Sequence, residues 1–154
     1  MAKEIERKFL VDAVKWNRSG KPIHMEQAYL MAEDDKVIRV RIAGAKAYLT
    51  IKGNLEGITR DEFEYEIPVN DARQLMNLSV GATVVKTRYV AEINQKIWEV
   101  DVFEGDNSGL IVAEIELENE NEPFEKPDWL LDEVSTDIRY YNFNLSKNPY
   151  SKWQ

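Results

Sequence analysis

The chain has 154 residues, the size of one ordinary domain. Lys and Arg total 20 against 28 Asp and Glu, a formal net charge of −8 that argues against a general nucleic-acid binder. The 44% hydrophobic content supports a folded core, no apolar run reaches the roughly 18–20 residues of a membrane span, and the N-terminal Met1-Ala2-Lys3-Glu4-Ile5-Glu6 has acids where a secretory signal needs apolar residues.

No repeat, low-complexity tract or flexible linker divides the chain, so one domain is expected. Period-two patterning dominates and predicts strands over 3–11, 25–31, 36–43, 46–52, 59–67, 83–92, 95–104 and 110–119. Turn chemistry separates several of them: Asp34-Asp35, Gly44-Ala45, Gly53 to Gly57, and Gly105-Asp106-Asn107-Ser108-Gly109. Such short connections favour antiparallel pairing. Helices are minor. Asn70 is positioned to cap one over Asp71–Leu78, Pro127 to start another through Leu131, and Asp12–Trp16 is a weaker third. From Arg139 onward, Tyr140, Tyr141, Phe143, Tyr150 and Trp153 suggest a tail that docks on the body. Trp98 and Trp129 read as packing residues, and His24 as a surface residue before the second strand.

The charges alternate as well, and they cluster by sign. Glu4, Glu6 and Lys8 share one face of the first strand; Arg39 and Arg41 share a face of the third, and Lys52 continues the pattern in the fourth. Lys86 and Arg88 flank Thr87. Glu62, Glu64 and Glu66 alternate with Phe63 and Tyr65; Glu99 and Asp101 flank Val100; Glu114, Glu116 and Glu118 enclose Ile115 and Leu117. A half-buried sheet alternates for the plain reason that one face meets water. Like charges on neighbouring strands are nonetheless unfavourable unless a counter-ion lies between them. Basic and acidic strands together therefore point to two halves of one site: an anion such as a phosphate chain against the cations, and a divalent cation against the carboxylates. Eight strands are enough to close a barrel around one small ligand. Inward charges would leave apolar faces outside, to be covered by the few helices, the aromatic tail or a second copy in a homodimer. Arg7 and Arg60 read as exterior charges, and Arg139 as a residue that ties the tail down or closes one mouth.

The pentapeptide Glu4-Ile5-Glu6-Arg7-Lys8 has the ExExK form, and the chain resembles the CYTH family, the triphosphate tunnel metalloenzymes, in its short bacterial branch. The likeness continues through Gln27-Ala28-Tyr29-Leu30, Arg39-Val40-Arg41, Thr50-Ile51-Lys52, Arg60-Asp61-Glu62-Phe63-Glu64, Lys86-Thr87-Arg88 and Ala113-Glu114-Ile115-Glu116-Leu117, which makes residues 1–154 a single domain of this kind. The resemblance implies a mainly β fold: a closed eight-stranded antiparallel barrel with a few flanking helices. It implies that Lys8, Arg39, Arg41, Lys52, Lys86 and Arg88 bind a triphosphate and that Glu4, Glu6, Glu114 and Glu116 serve a metal. Glu62 and Glu64 match acids linked to a second metal or to the attacking water. Tyr29 matches a candidate proton acceptor, and Lys86 is placed with Tyr29, Glu62 and Glu64 among the catalytic candidates.

Phosphoryl transfer needs charge neutralisation and positioning more than covalent help, which suits this set. Mg²⁺, with Mn²⁺ as an alternative, suits all-oxygen ligands. There are no cysteines, His24 is the only histidine, and no P-loop, GxGxxG, GxSxG or HExxH motif occurs, so the common routes to nucleotide, hydride, ester and zinc chemistry are absent. The expected activity is metal-dependent hydrolysis of inorganic triphosphate to pyrophosphate and phosphate, in the cytoplasm. An adenylate cyclase of class IV type, a thiamine or nucleoside triphosphatase, and a non-catalytic polyphosphate-binding barrel are the alternatives.

Overall fold

A computed structural model describes residues 3–33 and 35–153. Nine strands form one antiparallel sheet: β1 (Lys3–Val11), β2 (Lys21–Glu33), β3 (Lys36–Ala43), β4 (Lys46–Glu56), β5 (Thr59–Ile67), β6 (Val84–Ile93), β7 (Lys96–Phe103), β8 (Ile111–Glu116) and β9 (Leu130–Glu133). Their order is β5-β4-β3-β2-β6-β7-β8-β1-β9, and a further pairing of β1 with β5 closes the first eight into a barrel. The eight expected strands are all present. Asp34, half of one expected turn, lies outside the described residues.

The seam of the barrel is divided. β5 covers one edge of β1 only over Lys3, Ile5 and the residue between them, which oppose Asp61, Thr59 and Arg60. The same edge then pairs with β9, Phe9 opposite Glu133 and Val11 opposite Leu130. The helix expected from Pro127 through Leu131 is therefore corrected to a turn followed by this ninth strand. Unpaired backbone groups on the buried edge of β1 need partners, and β9 supplies them where β5 has diverged. Two further expectations are corrected. Asp12–Trp16 is a single turn in which the Asp12 carboxylate accepts from the backbone N–H of Val14 and Lys15. The helix α1 spans Val69–Leu75 and is preceded by Pro68, not capped by Asn70; the expected last turn, Met76–Leu78, tightens to a 3₁₀ form. β2 also starts earlier than expected and includes His24, which is exposed.

The barrel is apolar outside and charged inside. Phe9, Trp98, Val100, Ala113 and Ile115 face outward from β1, β7 and β8 and are buried beneath Trp16, Leu117, Trp129 and Phe124. Val40, Ile42 and Ala47 face outward from β3 and β4 and are covered by Ala72, Leu75 and Met76 of α1 and its extension. No helix among the described residues is long and apolar enough to cross a membrane.

At one end the inner face also turns apolar. Leu10, Val84, Phe103 and Val112 continue the inward positions of β1, β6, β7 and β8, and they pack against Val134, Tyr140 and Leu145. The tail thus docks as expected. Its helix α2 (Asn142–Lys147) stops before Pro149, and Trp153 stacks edge-on against Tyr140 and Tyr150. Leu145 is 1% exposed within this plug. Leu145→Ala is expected to cost about 2–5 kcal/mol in urea denaturation, the range for a cavity cut into a packed core.

Candidate active site

The inward side chains of the barrel surround a cavity of about 580 Å³. Alternation along each strand delivers them. The cations Lys8, Arg39, Arg41, Lys52, Lys86 and Arg88 line it, as do the acids Glu4, Glu6, Glu62, Glu64, Glu114 and Glu116, and Tyr29. Every residue that the resemblance assigned to the site therefore lines one cavity, whereas Glu66 and Glu118, which continue the same alternation, are exposed and do not. Arg7 is an exterior charge, paired with Glu133. Arg60 is not; it shares the parity of Glu62 and Glu64, lines the cavity and donates from Nη2 to the carbonyl of Asp35 at 2.9 Å. Arg139 forms its ion pair with Asp137 and lies over Tyr140 and Trp153, so it ties down the tail.

The most enclosed ion-pair group centres on Asp101, which is fully buried. Its Oδ2 accepts from Lys86 Nζ at 2.7 Å and from Arg88 Nη2 at 3.0 Å, while Oδ1 accepts from Arg88 Nε at 2.7 Å. Burial alone would raise the Asp101 carboxyl, but Arg88 and Lys86 hold it below its ordinary value. At Lys86 burial wins instead: it lowers the amine to about 7 against the pull of Asp101, helped by the neighbouring Arg88 and Arg41. Arg41 is pushed down by burial and then by Arg39 and Arg88. Its guanidinium stays charged. Not every donor is satisfied: the buried Nε atoms of Arg39 and Arg60 have no hydrogen-bond partner.

A second network joins the strands to the tail. Arg41 Nε donates to Gln27 Oε1 at 2.9 Å. Gln27 Nε2 donates to the Tyr29 hydroxyl and to Asn142 Oδ1, each at 3.0 Å. Asn142 Oδ1 also accepts from Lys86 Nζ at 3.0 Å. Gln27 shares its strand face with Tyr29 and was legible by parity, as were Glu99 and Asp101. Asn142 carries no periodic signal and reaches the site only through the docked tail.

Most of the acids are engaged by cations of neighbouring strands. Lys52 Nζ binds both oxygens of Glu4, at 2.9 and 3.0 Å, and lies 3.3 Å from Glu62. Glu64 accepts from Thr50 at 3.0 Å and lies 3.5 Å from Arg39. Glu114 lies 3.9 Å from Lys8. Burial, followed by Glu114 and Glu4, lifts Glu6 well above its ordinary value; burial would lift Glu114 too, but Lys8, Arg88 and Lys86 hold it well below. Glu4 and Glu116 are raised, chiefly by burial. Glu6 and Glu116 stand directly opposite on β1 and β8, an unfavourable like-charge pair that a cation would relieve.

Oxygen-only donors of this kind fit a hard divalent cation. Among the described residues no group of three acids converges closely enough to hold one, and Glu4 is engaged by Lys52.

The charge distribution yields a stability prediction. Asp101→Ala leaves Lys86 and Arg88 buried without their carboxylate and is expected to lose about 3–5 kcal/mol in urea denaturation. Added inorganic triphosphate should raise the variant's midpoint more than the parent's, because the anion replaces the missing charge.

Comparison with known proteins agrees with the geometry. Residues 2–149 match the model of the CYTH domain. An inorganic triphosphatase of Acetivibrio thermocellus is 45% identical, with 100% of this chain and 99% of that protein covered. One from Nitrosomonas europaea is 35% identical over 93% of this chain and 96% of its own length. Among solved structures, the crystal structure of the inorganic triphosphatase NE1496 superposes with a TM-score of 0.68 at 33% identity, covering 95% of both chains.

Proposed function

The chain belongs to the CYTH domain family, and on that premise we propose that it hydrolyses inorganic triphosphate to pyrophosphate and phosphate within the barrel. The observation that carries this reading is the gathering of six inward cations and six inward carboxylates, interleaved as ion pairs, in one cavity, with the buried Nε of Arg39 left without a partner.

Arg39, Arg41 and Arg88 suit phosphate oxygens because a guanidinium offers a rigid fork, while Lys8 and Lys52 act as point charges. Glu4, Glu6, Glu114 and Glu116, with Glu62 and Glu64, would hold a divalent cation, Mg²⁺ first and Mn²⁺ as its alternative. When bound, it would supply further neutralisation of the phosphate oxygens. Lys86 is suited to take a proton from water because its amine sits near 7, where a useful fraction is uncharged at neutral pH. The oxygen of that water attacks the terminal phosphorus, and the bridging P–O bond breaks with its electron pair on pyrophosphate. The Tyr29 hydroxyl already accepts from Gln27, so its own proton is free to donate to a phosphate oxygen. That is a donor's role rather than the proton acceptor the resemblance implied.

Phosphate release from inorganic triphosphate with Mg²⁺, against an EDTA control and with ATP in parallel, tests the proposal. Metal-dependent release from triphosphate with little from ATP is expected. Turnover confined to ATP, or to neither, would overturn it. Arg39→Ala combined with Arg41→Ala should lower kcat/KM by at least about 100-fold in a folded protein, since the transferring group loses both guanidinium partners. In the parent, kcat/KM should rise with pH through about 7 as Lys86 loses its proton.

A further inference from the structure

The C-terminal tail does more than plug the barrel: its helix α2 begins with Asn142, which lines the cavity. The hydrogen-bond network fixes which way this amide faces. Arg41 has donors only, so Gln27 must present Oε1 to it at 2.9 Å. The Gln27 amide nitrogen then faces Asn142, which must answer with Oδ1 at 3.0 Å. That same Oδ1 is 3.0 Å from Lys86 Nζ. The strands thus force Asn142 to show Lys86 an acceptor.

An uncharged lysine amine has two N–H donors and one lone pair. Asp101 accepts at 2.7 Å and Asn142 at 3.0 Å, which uses both donors. The side chain of Lys86 is 1% exposed, so water does not compete freely for them. We propose that Asn142 is a positioning residue that, together with Asp101, takes both N–H groups of the Lys86 amine and leaves its lone pair to the cavity for the attacking water. This rests on the reading of Lys86 as the base. The step it serves is balanced: water gives one proton to Nζ, its oxygen bonds to the terminal phosphorus, and pyrophosphate leaves with the electron pair of the broken P–O bond. The ammonium then returns its proton to solvent.

The other charged groups acting on Lys86 are Asp101 on β7, Arg88 on β6, Arg41 on β3 and Glu114 on β8, and Tyr29 on β2 and Lys8 on β1 line the same cavity. None of them changes in Asn142→Asp, an isosteric variant that adds one negative charge against Nζ. A carboxylate there favours the ammonium, so the acid limb of kcat/KM should move up by about one pH unit. Below the limb that is about a 10-fold loss, with the rate recovered at alkaline pH. Asn142→Ala should lower kcat about 10-fold or more at every pH with KM within about twofold, because orientation is lost while phosphate binding is kept.

The experiment is the pH dependence of kcat and kcat/KM for these two variants and for Lys86→Gln, with thermal midpoints recorded for each. An inactive Lys86→Gln together with the displaced limb in Asn142→Asp supports the proposal. An inactive Lys86→Gln with an unmoved limb in Asn142→Asp overturns the positioning role and leaves the base in place. A Lys86→Gln variant with the parent's kcat removes the base reading and this proposal with it. Asn142 variants that lose activity only in step with unfolding at the assay temperature would make the residue structural and also overturn it.

Discussion

The Asp101 carboxylate, held by Lys86 and Arg88 at full burial, sets the terms for the rest of the molecule. Removing the Asp101 and Arg88 charges from water costs several kcal/mol per ion, and close pairing returns only part of it. The remaining inner cations repeat the problem with less compensation. Arg39 keeps a buried donor without a partner, and Arg41 has neutral Gln27 as its acceptor. The interior therefore stabilises the fold poorly by itself: the unpartnered arginine donors favour an anion, and the opposed Glu6 and Glu116 favour a cation.

Stability has to come from the other face of the sheet. Trp98 is 1% exposed and meets Phe9, Phe124 and Trp129 edge-on or tilted, at centroid distances of 5.7 to 6.1 Å. Aromatic burial of this kind contributes both area and edge-to-face geometry. On the far side α1 covers Val40, Ile42 and Ala47. The outer face of the adjoining strands keeps Ile51, Phe63 and Tyr65 partly exposed, where no helix reaches. The seam follows the same economy of cover: β5 and β9 share one edge of β1, so neither strand alone needs to span it.

The sequence exposed this arrangement wherever alternation carried it. Parity placed Glu4, Glu6 and Lys8 inside and Phe9 outside, and it placed Lys86 and Arg88 inside with equal clarity. Followed strictly, it also puts Arg60 with Glu62 and Glu64, since the three alternate with Asp61 and Phe63 along one strand. Pairing and register are another matter. Nothing local in Leu130–Glu133 marks a strand, because its reason to be extended is the unpaired edge of β1, more than a hundred residues away in the chain. Asn142 was illegible for a related reason. Its role depends on tail docking, and docking depends on Tyr140 and Leu145 meeting Val84, Phe103 and Val112. The acid pairings also escaped, because they follow from which strand lies beside which: Lys52 sits opposite Glu62 on β5.

The inner faces of β1, β6, β7 and β8 each pass from charged to apolar in the same direction. β1 runs from Glu4 and Glu6 through Lys8 to Leu10, β6 from Arg88 and Lys86 to Val84, β7 from Glu99 and Asp101 to Phe103, and β8 from Glu116 and Glu114 to Val112. The apolar ends meet where the tail packs. A phosphate chain finds no charge partner there, while the stretch before it offers the Arg88 guanidinium and a lysine that burial lowers to about 7. Burial acts twice on Lys86: it lowers the amine's affinity for a proton and keeps solvent from its two donors, which Asp101 and Asn142 then occupy. The same packing that closes one end of the barrel is thus what makes a lysine chemically different from the cations around it. Tail, plug and Lys86 form one physical unit, linked by the single oxygen that Asn142 presents to both Gln27 and Lys86.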